Sequence, residues 1–279
     1  MYSIKKVALA LILIFSAHLA YSQTYTPAFK VSKGQEYNYK MDLTANSTQS
    51  MGGQEMKFGT TATSTLKNAI ANVLADGKIE IITSSWDAKV STKVMKDTTM
   101  TFPGKVGSSS KITVNKFGNV VSKVKMDTVA TDAQLGGLDN GLISTVVFVE
   151  FPETPIKVGD KWTKEHNDSI SAGPLGKLEL KNKSEFTLGA KETIEGKSLY
   201  KVTCASSLQI SGKGKMQGMD IAVAGTGVKT DDIYFDPSTG VVFSDKINME
   251  LDINLAISGQ QSMTIPMTQK ITATLILIK

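Results

Sequence analysis

The chain has 279 residues, 41% of them hydrophobic, and a formal net charge of +5. Its basic residues are all lysine, because the sequence contains no arginine. Nucleic-acid and phosphate sites favour arginine's planar fork, so these scattered lysines read as a solvated surface and as guards of sheet edges. One cysteine and 2 histidines exclude an intramolecular disulfide and a Cys/His zinc site. No metal, cofactor or nucleic acid is expected.

Lys5 and Lys6 precede an apolar run from Val7 to Ala17, and Ala20-Tyr21-Ser22 puts small residues at the −3 and −1 positions of a cleavage site. This is the order of a secretory signal, and the run is short for a membrane span. Residues 1–22 are expected to be removed, leaving 23–279 as a single β domain in the periplasm or outside the cell. His18 leaves with the signal, so His166 is the histidine that remains. No cysteine stands at the cut to carry a lipid, and no later stretch is long enough to span a bilayer.

Strand-period alternation dominates the rest. It runs through Lys78–Val90, Lys111–Val124, Lys177–Leu188 and Ser198–Ile210, and is clearest over Lys246–Ser258. There Ile247, Met249, Leu251, Ile253, Leu255 and Ile257 share one face, and Lys246, Asn248, Glu250, Asp252 and Asn254 the other. One dry and one wet face on so long a strand predicts a large antiparallel sheet. Gly52-Gly53, Asp76-Gly77, Glu195-Gly196, Gly218 and Asp236-Pro237-Ser238-Thr239-Gly240 mark the turns.

Gly34-Gln35-Glu36-Tyr37 resembles Gly159-Asp160-Lys161-Trp162, and three later matches follow in the same order at nearly constant spacing. This predicts two pseudo-repeats, about 34–127 and 158–258. Between them Val129, Ala130, Ala133, Leu138, Leu142, Val146 and Val147 are loosely helix-periodic. One or two short helices are expected over 128–150, crossing an open face of the sheet. The predicted class is therefore all-β with a short helical crossover, built on a curved sheet or half-barrel of two duplicated halves.

Few groups suit catalysis. His166 lies in a polar, strand-like run with no nucleophile elbow near it, and Cys204 alternates with Val202, Ser206 and Leu208 as a buried structural thiol would. Asp231 and Asp232 are neighbours on a strand and point to opposite faces. Gly212-Lys213-Gly214-Lys215 and Gly225-Thr226-Gly227 lack the context of a phosphate loop or a dinucleotide fingerprint. The chain is not expected to be an enzyme.

Methionine is the unusual feature. It flanks three hairpin regions in pairs, Met51 with Met56, Met216 with Met219, and Met263 with Met267. Flexible thioethers fill gaps at sheet ends, and they also suit an adaptable apolar mouth. The candidate ligand-binding residues are Leu138, Leu142, Val146, Met216, Met219 and Met263. The ligand expected is apolar or amphiphilic, a lipid or a lipoprotein acyl group. The alternative is a structural or envelope-interaction protein whose partner is another envelope protein.

Pro152-Glu153-Thr154-Pro155-Ile156-Lys157-Val158-Gly159-Asp160-Lys161-Trp162 resembles a motif of a family of uncharacterised exported bacterial proteins, a domain of unknown function. In it Pro152 and Pro155 fix an extended connection, Gly159-Asp160 makes a turn, and Trp162 drops a large ring into the sheet. Asp236, Pro237 and Gly240 form the second structural motif. More loosely, long strands with such a turn and crossing helices resemble the periplasmic lipoprotein carriers of the LolA and LolB type. That resemblance implies a half-barrel with an apolar cavity under helices. The arginine that holds the lid of the LolA cavity has no counterpart in an arginine-free chain.

Overall fold

The computed structural model describes residues 24–93, 97–126, 148–171, 177–216, 219–258 and 262–278. A short β1 (Thr24–Tyr25) pairs with an equally short β7 (Ile156–Lys157). All other described strands form one sheet. Its first meander is β2 (Glu36–Met51), β3 (Gln54–Val73), β4 (Ile79–Lys93), β5 (Asp97–Val114) and β6 (Val120–Lys125). Its second is β8 (Lys161–Ser171), β9 (Lys177–Ile194), β10 (Lys197–Met216), β11 (Met219–Phe235) and β12 (Val242–Ser258). The last strand, β13 (Met263–Leu277), joins them, giving the order β6-β5-β4-β3-β2-β13-β12-β11-β10-β9-β8.

Every pairing in this 11-stranded sheet is antiparallel. The strands reach 20 residues, several times the usual five or six. Alternation runs along them: Ile247, Met249 and Leu251 are buried while Lys246, Asn248 and Glu250 are exposed. The dry residues of both meanders join one hydrophobic core, from Leu66 and Ile81 to Leu188 and Val202. Twist accumulates across so many strands and curls the sheet around this core. No helix occurs among the described residues. Most of the expected helical crossover, 128–147, lies outside them. Its end departs from the expectation: Phe148 is extended and bridges Val241.

One end of the sheet is closed by aromatic rings carried on two straps, residues 24–35 and 148–160. Tyr25 packs against Phe151, Tyr200 and Phe235 at 5.4–5.6 Å between ring centroids. Trp162 stacks on Phe186 at 5.4 Å and lies 6.0 Å from Phe151. The Pro152–Trp162 run is tied to β9 by main-chain hydrogen bonds. Gly159 N–H donates to Leu188 O, Leu188 N–H to Asp160 O, and Lys157 N–H to the Asp160 carboxylate. In the other turn, Gly240 N–H donates to Asp236 O, and Ser238 N–H to Asp236 Oδ1.

Phe29 is held between the turns that end the two meanders. Its N–H donates to Lys116 O, and Lys30 N–H to Thr239 O. Its ring fills the space where a side chain on Gly118 or Gly240 would stand. A Cβ on Gly118 would lie 2.5 Å from the ring and 2.5 Å from Val149 O, at a φ of +83°. Gly118→Ala is therefore expected to cost about 3 kcal/mol, combining left-handed strain with a backbone clash. Gly53→Ala, at a hairpin tip with nothing within 4 Å, should cost only the strain, about 1 kcal/mol. Urea unfolding of the two variants measures the difference.

Candidate ligand-binding end and the polar groups of the inner face

An antiparallel meander sends alternate hairpins to opposite ends. The aromatic floor gathers the turns β3–β4, β5–β6, β9–β10 and β11–β12, and the far end gathers the hairpins β2–β3, β4–β5, β8–β9, β10–β11 and β12–β13. The inner face changes character between these ends. Along β12, Ile247, Met249 and Leu251 are buried, whereas Ile253, Leu255 and Ile257 are half-buried. On β13 the same gradient runs backwards, from buried Leu275 and Ile271 to half-buried Met267 and Ile265 and then to exposed Met263. Phe58 on β3 and Phe102 on β5 are half-buried, and Met100 is exposed.

Methionines 51, 56, 100, 216, 219, 263 and 267 all sit on strands within a few residues of this open end. Pairing β10–β11 and β12–β13 at their tips brings three consecutive rows of residues together. Gly214, Ile221, Ile257 and Met263 form the middle row. An open cleft of about 550 Å³ lies at these tips, lined by Lys213, Asp220 and Ala256 of the outward face and by Ile257 and Met263 of the inner one. That is the volume of a small-molecule site. Lys215 and Asp220 form an exposed ion pair at its edge, 3.5 Å apart.

Of the candidate residues, Met263 lines the cleft and half-buried Met219 stands two residues before Ile221 on the same face. Met216 is opposite Met219 in the register. Leu138, Leu142 and Val146 lie outside the described residues. The cross-hairpin partners Lys213, Asp220 and Ile221 escape a reading of single strands, because register between strands is not written in either one. Ile257 was already on the dry face of its strand.

A second set of groups sits deeper on the inner face. Lys229 Nζ lies 3.0 Å from Asp231 Oδ2, with side-chain exposures of 11% and 3%. Beside them Ser184 and Ser206 share a hydrogen bond of 2.8 Å, and Cys204 Sγ is 3.5 Å from Ser206 Oγ. Asp245 is diagonal to Asp231 across the β11–β12 pairing. Asp231 Oδ1 and Asp245 Oδ1 are both enclosed without a hydrogen-bond partner among the described residues. Asp232 takes the opposite face and pairs with Lys201 at 3.1 Å.

Burial, reinforced by the charge of Asp231, pushes the Asp245 carboxyl up to about 8. Burial also pushes the Cys204 thiol up to about 11, so no thiolate forms at neutral pH. Desolvation opposes the charge of Lys229, but the charge of Asp231 and its hydrogen bond work against this, and the ammonium stays protonated. The cluster is thus neutral when Asp245 keeps its proton. Strand parity held the signal for it: Asp245 precedes Ile247, and Lys229 and Asp231 precede Ile233, at dry-face spacing. No group of three or more His, Cys, Asp or Glu side chains among the described residues is placed to hold a metal ion.

A family model described as "Family of unknown function (DUF6263)" matches residues 144–242, a span that contains the Pro152–Trp162 run and the Asp236–Gly240 turn. No curated protein matches the chain. Among solved structures it is similar to the hypothetical lipoprotein YmcC from Escherichia coli (K12), at 12% identity over 81% of this chain and 85% of that one, TM-score 0.24. It is similar to Pseudomonas aeruginosa OccK2 (OpdF), solved in complex with glucuronate, at 5% identity over 90% and 100%, TM-score 0.25. A third is the translocator domain of the autotransporter NalP from Neisseria meningitidis, at 7% identity over 98% and 97%, TM-score 0.20. Likenesses with TM-scores of this size carry no argument about fold or function.

The buried carboxyl sets a pH dependence. Asp245 holds its proton up to about 8 in the folded chain, against 3.8 when free. The folded state then binds the extra proton between those values, so stability falls as pH rises through that window. Asp245→Asn is expected to remove this slope and to unfold at higher urea than the parent at the alkaline end. The gain there, discounted for partial exposure, is roughly 1–3 kcal/mol. Urea midpoints at both ends of the window test it.

Proposed function

We propose that this chain is an exported, non-catalytic binding protein that takes an apolar or amphiphilic ligand, such as a lipid or a lipoprotein acyl group, at the hairpin end of its sheet. One observation carries this reading: the inner face, fully covered at the aromatic floor, leaves Ile253, Leu255, Ile257, Ile265 and Met267 half-covered toward the hairpin tips. Methionine concentrates at that same end, and flexible thioethers adapt to ligands of varied shape. The cleft at the hairpin tips is bordered by Ile257 and Met263 of the inner face and by Lys213 and Asp220 of the outer one. The leader-like N-terminal sequence supports export to the periplasm or beyond.

The outward faces speak for a protein surrounded by water. On β12 and β13 they carry Asn248, Glu250, Asp252, Thr268 and Lys270, all exposed. A membrane-spanning barrel reverses this arrangement, with its apolar band outside. The other reading, a structural or envelope-interaction protein with no small ligand, draws on the middle of the inner face. There Leu251 and Leu208 close over Gly227 and fill the space a side chain would take. A ligand would therefore enter the hairpin end and stop short of the buried Lys229 cluster.

Titration of the purified protein with a fluorescent fatty acid tests the proposal. Saturable binding is expected, weakened at least tenfold by Ile257→Glu or Met263→Glu, since each puts a charge against the acyl chain. Both sites are partly open, so the fold should persist by circular dichroism. Absence of binding to the parent protein, together with no lipid co-purifying in native mass spectrometry, would sink the proposal.

A further inference from the structure

We infer that Glu150 and His166 form a pH-sensitive latch joining the two outermost described strands of the sheet. Those strands are β6 and β8. Glu150 lies in the strap between them and reaches both. Its Oε1 accepts from Val120 N–H on β6 at 3.3 Å. Its Oε2 lies 2.6 Å from His166 Nε2 on β8, and its main-chain oxygen accepts from Trp162 Nε1 at 2.7 Å. The next residue continues the tie, with Phe151 N–H donating to Phe117 O at 2.9 Å. One carboxylate therefore takes a hydrogen bond from each of these strands.

The chemistry of the pair makes this tie respond to pH. The Glu150 side chain is 13% exposed and that of His166 32%, so solvent screens the pair only partly. The hydrogen bond to Glu150 raises the His166 pKa, partial burial works against it, and the charge of Glu150 raises it further. Asp168 and Lys164 of β8 act on the ring with opposite signs, and β9 presents the neutral Asn182 opposite. Since the folded pKa exceeds the free value of 6.5, the charged latch is fully formed below that value. It loosens as pH rises through the folded pKa. A neutral imidazole still donates one hydrogen bond, so the seam relaxes without the sheet unfolding. This inference does not depend on the ligand reading.

Amide hydrogen exchange of the full chain, corrected for intrinsic rates, reads the latch directly at Val120 and Phe151. Protection of these two amides is expected to fall about tenfold between roughly pH 5.5 and pH 8.5 in the parent. Core amides such as that of Met249 should not change. In His166→Gln, a neutral donor of similar reach, seam protection should be low and flat across the range. Two results overturn the latch: seam protection in the parent that does not vary with pH, or a parent-like fall that persists in His166→Gln. If His166→Gln does not fold, the parent profile decides alone.

Discussion

A strand gives every second side chain to one face, and on these long strands one of the faces is apolar. That period-two constraint governs the rest of the molecule. A dry face some dozen residues long must be covered, and among the described residues there is no helix to cover it. Twist carried across the strands brings Leu66 and Ile81 of the first meander into one core with Leu188 and Val202 of the second. The straps then close one end with rings, and the other end is left with its apolar lining half-covered.

This division explains why the polar groups sit where they do. At the floor, Tyr39 OH donates to Val242 O at 2.7 Å. Midway, Lys229, Asp231 and Asp245 interrupt the dry face and are neutral together only while Asp245 keeps its proton. Such a cluster adds less stability than apolar residues of the same size would. Its cost falls on the stretch of inner face between the filled centre and the floor, away from the hairpin end. The two ends of one strand thus serve different needs: Phe235 of β11 is buried in the floor, and Asp220 of the same strand borders the cleft.

Much of this was legible in the sequence because period two survives in a single strand. The run Lys246–Ser258 shows its dry face without reference to any neighbour, and the Asp236–Gly240 turn declares itself by proline and glycine. The association of Ile221 with Ile257 and Met263 was not legible, since it arises from the registers of three strand pairings at once. Nor was the link from Glu150 to His166, because the strap reaches β8 through the fold and not through any repeat of residue types. The charged residues at dry-face positions, Asp231 and Asp245, were visible by parity, but what they face is decided by pairing.

The insertion of β13 between the two meanders has a consequence of number. Two meanders of five strands would give an even count, and an even antiparallel sheet can roll up and seal itself with one more antiparallel pairing. The extra strand makes the count of described strands odd. Along an order of alternating directions, the first and last strands, β6 and β8, then run the same way. They cannot meet in the antiparallel pattern used everywhere else in the sheet. The seam therefore falls to a connecting strap, and where a side-chain carboxylate completes it, unlike a ladder of peptide groups, it can be adjusted by a single proton.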